Sequence, residues 1–232
     1  MSIRAVLFDL FDTLVYMQTT GARAEGIRLV AQAGICEQRW IAGWRSISER
    51  ALSGEIETLE ERVREGLAAA GLPAAPGSLV RSLVAVRRRD VLEAPCVYAD
   101  VADSLRGLRE RGFRLGLVSN IYPYETTIID RFGLRQILEA VVLSCEMRVR
   151  KPDPRIYLAA AQRLSLEPRE CVFVGDGMSR ELSGARAAGM LAVRIDRSQR
   201  DDDQDRDEAY DARVETLPEL LAWLEAREAL GK

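Results

Sequence analysis

Apolar residues in this chain gather into short runs at AVLF (5–8), FRLGLVS (113–119), AVVLS (140–144), CVFVG (171–175) and MLAVRI (190–195). Short Val- and Leu-rich runs of this kind predict strands buried on both faces of a sheet. Between them the pattern changes to a helical period: SLRGLRERG precedes the second run, RIYLAAAQRLSL precedes CVFVG, and ELSGARAAG precedes MLAVRI. Strands alternating with helices predict an α/β fold with a doubly wound parallel sheet. In such sheets ligands bind beyond the carboxyl ends of the strands.

The stretch from 16 to 95 breaks the alternation and reads as four helices, 22–33, 37–53, 58–70 and 78–93. Gly34 and Gly54 follow the first two, Trp40, Trp44 and Ile47 share a helical face, and Thr58 with Glu61 forms a capping box. A helical block inserted after the first strand predicts a helical-bundle cap over the crevice. The expected division is therefore an α/β core of residues 1–15 and 96–232 and a cap of residues 16–95. RDDDQDRDE (200–208) reads as a solvated charged connection, and VETLPELLAWLEA as a last amphipathic helix on the sheet.

Composition narrows the chemistry. The 232 residues contain no histidine, which removes Ser-His and Cys-His catalysis and histidine zinc sites. Cys36, Cys96, Cys145 and Cys171 form no CxxC pair and read as reduced thiols. A net charge of −3 gives no reason to expect a nucleic-acid or membrane-surface partner. No apolar run is long enough for a bilayer or a signal peptide, so a cytoplasmic location is expected; the oligomeric state is not legible.

Polar residues with chemical potential sit at the predicted strand ends. In LFDLFDTLV (7–15), Asp9 directly follows a buried strand, a costly place for a charge unless something compensates it. LVSN places Ser119 at the end of the next strand, where a hydroxyl and free backbone N–H groups can hold an anionic oxygen. RKPDPRIY carries Lys151, a point charge able to neutralise a phosphate or a carboxylate. VGDGMSRELSGARAAGM ends a strand at Asp176 and adds Glu181, two carboxylates suited to magnesium if they converge on Asp9. Each piece alone also reads as ordinary: a turn aspartate, a strand-ending serine, a surface lysine, a helix-capping acid.

In this order, and over nearly the whole chain, the pieces resemble the haloacid dehalogenase-like hydrolase superfamily. The helical insert resembles the cap shared by its small phosphatases and haloacid dehalogenases. The resemblance implies Asp9 as covalent nucleophile, with Ser119 and Lys151 completing the catalytic set and Asn120, Thr13 and Arg45 contacting substrate. It implies Mg2+ held by Asp9, the Phe11 carbonyl, Asp176 and Glu181, and a small phosphorylated metabolite as substrate. One position departs from the pattern. Phosphatases of the superfamily usually carry a second Asp two residues after the nucleophile as general acid and base; here that residue is Phe11, followed by Asp12 where glycine is usual. Loss of a general acid costs ~10²–10⁴-fold in rate. Three accounts remain open: a substrate with a good leaving group, a substitute role for Asp12, or a halide leaving group. The last would make the chain similar to metal-free 2-haloacid dehalogenases, which have an aromatic residue at the Phe11 position and which Ser119, Asn120, Lys151 and Tyr157 also match. Asp176 and Glu181 speak against it, because without a metal each would repel a haloacid carboxylate by ~4 kcal/mol at about 4 Å in a protein-like dielectric. A catalytically weak phospho-ligand binder is the third alternative.

Overall fold

The computed structural model describes residues 2–197 and 209–230. Its main sheet contains β1 (Ala5–Phe8), β4 (Arg114–Ser119), β5 (Ala140–Leu143), β6 (Cys171–Gly175), β7 (Leu191–Ile195) and β8 (Ala212–Val214). The strand order is β5-β4-β1-β6-β7-β8, and every described pairing in it is parallel. The chain thus starts in the middle of the sheet, and its connections leave β1 towards β4 on one side and β6 on the other. The order reverses there, which opens a crevice at the carboxyl ends of these three strands.

Alternation along β1 explains why the sheet is covered on both faces. Val6 and Phe8 enter a cluster with Leu105 and Leu108 of α6 (Val101–Glu110) and Leu220 and Leu224 of α12 (Leu217–Leu230). Ala5 and Leu7 enter a second cluster with Ile156, Tyr157 and Ala160 of α10 (Pro154–Arg163) and Leu182 and Ala185 of α11 (Glu181–Ala187). Each buried Leu, Val or Phe side chain stabilises the fold by ~1.5–3 kcal/mol. The fold class read from the pattern is the one observed, and the last helix packs where its apolar spacing places it.

Five helices lie between β1 and α6: α1 (Ala22–Gln32), α2 (Glu37–Ser46), α3 (Ser48–Leu52), α4 (Leu59–Ala69) and α5 (Gly77–Glu93). They enclose an apolar cluster of their own that includes Val30, Trp40, Val63, Leu67 and Leu83. The Thr58–Glu61 capping box forms at the start of α4.

The single helix expected over 37–53 is two. Ile47 leaves helical geometry at φ −101°, ψ 1°. On either side of it Ser46 and Ser48 donate their hydroxyls to the carbonyls of Gly43 and Trp44, a competition with the backbone ladder that bends helices. A two-stranded antiparallel ribbon, β2 (Val15–Met17) with β3 (Pro95–Val97), was also not expected. It pairs the segments by which the chain leaves β1 and returns towards α6, at the two edges expected for the insert. At three residues per strand, neither it nor β8 is long enough to display a period. The charged stretch 200–208 lies outside the described residues.

Candidate active site

Asp9 follows β1 directly, and its backbone N–H still donates to Val174 O of β6 at 2.9 Å. Its side chain therefore emerges at the head of the central strand, between the ends of β4 and β6. Ser119 is the last residue of β4 and Asp176 the first after β6, so parallel register alone brings three polar side chains to one end of the sheet. Lys151 comes from the turn before α10. Asn120 fixes that turn: the Lys151 backbone N–H donates to Asn120 Oδ1 at 2.8 Å, and Asn120 Nδ2 donates to the Lys151 carbonyl at 3.1 Å.

Lys151 is 2% exposed and forms two ion pairs, Nζ to Asp9 Oδ1 at 2.5 Å and Nζ to Glu181 Oε2 at 2.5 Å. Burial works against its charge, but the Asp9 and Glu181 carboxylates outweigh it and hold the ammonium above its ordinary pKa. Glu181 is 1% exposed. Burial drives its carboxyl well above the usual range, Lys151 opposes this, and the charges of Asp9 and Asp176 reinforce it. Asp176 is pushed up to about 6, first by burial and then by Asp9, while the Met178 N–H bond to Oδ1 (3.1 Å) pulls the other way. Three acids share one lysine. Such a centre repels itself at neutral pH and favours any added cation.

One carboxylate oxygen from each of Asp9, Asp176 and Glu181 lies within 4.8 Å of the others. Trans ligands of an octahedral magnesium ion stand ~4.2 Å apart, so these acids could hold a divalent cation after a sub-ångström adjustment. Glu181 already binds Lys151 and the Gly177 N–H (3.2 Å), which leaves Asp9 and Asp176 as the freer ligands. Thr13 and Ser119 are fully buried, and their hydroxyl oxygens have no hydrogen-bond partner among the described residues. An unsatisfied buried hydroxyl costs ~1–3 kcal/mol, a cost that an anionic oxygen placed between these groups would remove.

The loop after β6 is shaped for this cluster. Gly177, Ser179 and Arg180 have φ of 92°, 58° and 54°, a left-handed path that turns the chain so that Glu181 folds back beneath the strand end. A Cβ on Gly175 would collide with the Glu181 carboxylate, and one on Gly184 would stand 2.5 Å from Pro152 O beside Lys151. The small residues of this segment thus serve close approach. Tyr157 donates to the Glu181 carbonyl at 2.7 Å and packs edge-on against Phe173, so it anchors the start of α11.

Of the residues expected at the site, the structure brings Asp9, Lys151, Asp176 and Glu181 together. Arg45 belongs instead to a cavity of ≈ 240 Å³ between α1, α2 and α5, which Arg23, Arg87, Trp40 and Trp44 also line. Trp40 is buried in the apolar cluster of the insert, as its spacing indicated. Phe11 packs, partly buried, against the core cluster beside β1. Asp12 has φ 54°, which accounts for glycine being usual at this position, and its charge adds to the upward push on Asp176. All four cysteines are free. Among the described residues no helix is long and apolar enough to cross a membrane.

The model of the haloacid dehalogenase-like hydrolases matches residues 3–189. A glyceraldehyde 3-phosphate phosphatase of Methanopyrus kandleri is 34% identical over 94% of this chain and 96% of its own length. Among solved structures, a HAD phosphatase from Thermococcus onnurineus superposes with a TM-score of 0.67 at 24% identity, covering 96% of this chain and 98% of its own. A 2-haloacid dehalogenase from Pseudomonas syringae pv. Tomato reaches 0.70 at 23%, covering 97% and 99%. At these identities the two structures speak for the fold, while the family match and the buried Asp9, Lys151, Asp176 and Glu181 speak for the chemistry. The chain belongs to the haloacid dehalogenase-like hydrolases.

Proposed function

We propose that this hydrolase is a magnesium-dependent phosphatase of a small phosphorylated metabolite and works through a phosphoaspartate at Asp9. The observation that carries this reading is the Asp9–Asp176–Glu181 cluster around Lys151. Three carboxylates facing one lysine suit a cation and a phosphate together, whereas they would repel a bare haloacid.

Asp9 attacks phosphorus in line, forming an O–P bond while the ester P–O bond breaks and its electron pair leaves with the alcohol oxygen. Water then attacks the phosphorus of the acyl phosphate, releases inorganic phosphate and restores the Asp9 carboxylate. Magnesium, when held by Asp9, Asp176 and the Phe11 carbonyl, supplies shielding between the nucleophile's charge and that of the phosphate. Ser119, Thr13 and Lys151 hold phosphate oxygens, Asn120 fixes the Lys151 turn rather than reaching the substrate, and Glu181 keeps Lys151 oriented. Residues 16–95 act as a cap over this site. The M. kandleri relative, a glyceraldehyde 3-phosphate phosphatase, supports a phosphorylated metabolite of about that size.

A second reading, metal-free dehalogenation, is favoured by one residue, Phe11. One pair of assays separates the two. Purified protein should release phosphate from p-nitrophenyl phosphate or acetyl phosphate only with magnesium, and Asp9→Asn should abolish the release. Chloride release from 2-chloropropionate in EDTA would overturn the phosphatase reading, and tight phosphate binding without any turnover would replace it with a binding role.

A further inference from the structure

Arg62, on α4, is the largest fully buried side chain among the described residues and is only 1% exposed. No carboxylate lies within ion-pairing distance of it among the described residues. Its guanidinium is sandwiched between two rings, 4.3 Å from the Trp44 centroid and 3.6 Å from that of Tyr122. Nη1 donates to the Tyr124 hydroxyl at 2.5 Å and Nη2 to Ser48 Oγ at 3.3 Å, while Nε is buried without a partner. Trp44 and Ser48 belong to the helical insert; Tyr122 and Tyr124 belong to the core loop that follows β4.

A buried cation without a direct ion pair is costly, and the two cation–π contacts and the nearby charge of Glu125, which belongs to the same core loop as Tyr122, offset the cost only while insert and loop are together. The environment of Arg62 therefore exists only when the insert is seated on the core. Ile47, Ala51 and Ile56 pack against Tyr122 at the same junction. Tyr122 is three residues beyond Ser119, and the intervening Ile121 N–H bonds to Ser144 Oγ at 3.1 Å. Asn120, in the same loop, grips the Lys151 backbone on both sides, and Lys151 in turn holds Asp9. A continuous set of contacts thus runs from α4 through Tyr122 and Asn120 to the nucleophile.

We propose that Arg62 is a positioning residue that couples seating of the cap to assembly of the Ser119–Tyr124 loop and, through Asn120, of Lys151. The kinetic part rests on the phosphatase reading; the coupling itself does not. Hydrogen exchange on the full-length protein tests the coupling without turnover. Arg62→Met should raise exchange of the Ile121 and Lys151 amides at least 10-fold and leave the Asp9 amide, bonded to Val174, unchanged. Tyr122→Leu should reproduce this and Tyr122→Phe, which keeps the ring, should not. With p-nitrophenyl phosphate, Arg62→Met and Tyr122→Leu should each lower kcat about 10-fold or more, the double variant no further, with KM moving less. Unchanged exchange at Ile121 and Lys151 in both Arg62→Met and Tyr122→Leu would overturn the proposal. So would kcat losses that multiply in the double variant, or a lowered Tm with kcat intact. Should the wild type release no phosphate, the exchange experiment still decides the coupling, and only the phosphatase reading fails.

Discussion

Replacing Asp176 by Asn should stabilise the metal-free protein, although it should destroy a ligand of the proposed cation site. Asn keeps the shape and an oxygen for the Met178 N–H, so the main change is the loss of a buried charge beside Asp9. The Asp176 carboxyl is pushed up to about 6 from an ordinary 3.8, chiefly by burial and then by Asp9. At ~1.36 kcal/mol per pH unit, that difference makes the ionised group cost the folded state up to about 3 kcal/mol. Because the folded pKa is the higher one, the cost is complete above pH 6 and is lost as pH falls through 6 towards 3.8. A chain of this length gains roughly 2–4 °C in Tm per kcal/mol, so Asp176→Asn should melt up to about 6–12 °C above wild type in EDTA at pH 8. The difference should shrink steadily between pH 6 and 4. Magnesium should reverse the order, because an ion present at 1,000 times its Kd stabilises only the protein that binds it, by ~4 kcal/mol. Thermal melts by circular dichroism, with and without the metal, check both halves. A variant that melts at or below wild type in EDTA at pH 8 would refute the electrostatic reasoning, and a variant still ahead in saturating magnesium would remove Asp176 from the ligand set.

Two further outcomes follow from particular side chains. Phe11→Asp should raise turnover of alkyl phosphates more than of aryl phosphates in steady-state assays, since only poor leaving groups need a proton; the gain should fall short of the ~10²–10⁴-fold general-acid range, because the Phe11 ring packs on the core and the new carboxylate inherits that apolar wall. Equal gains for both substrate types would show that the acid at this position does not serve the leaving group. Glu125, in the loop beside Arg62, has its carboxyl pushed up to about 7 by burial, with Arg62 and Arg87 pulling it back. Its folded pKa exceeds the unfolded one, so it subtracts stability as pH rises from about 4.5 to 7; Glu125→Gln should therefore raise Tm at pH 8, with little change near pH 4.5, and a variant less stable than wild type at pH 8 would refute this.

Much of the molecule was legible in the sequence because the relevant physics is local. A parallel strand buried on both faces must be a short apolar run, so AVLF and CVFVG are observed with their expected bounds, and the polar residue ending such a run must face the crevice. Asp9, Ser119 and Asp176 were found on that ground. The Asn120–Lys151 bonds span 31 residues and the Lys151–Asp9 pair 142, so no periodicity announces them; the shared order of motifs gathered Lys151 and Asp9 into one site, but it cast Asn120 as a substrate contact, not as the anchor of Lys151. Other features were decided by tertiary structure alone. The three-residue strands of the ribbon exist because they pair with each other, and Ile47 breaks its helix where serine hydroxyls compete for carbonyls. Arg45 was expected to contact substrate, and nothing in the sequence singled out Arg62. Packing sent the first to the edge of a cavity within the insert and the second between two rings, because burial of a cation depends on which aromatic surfaces meet it, and Tyr122 meets Arg62 from 60 residues away only once the insert lies on the core.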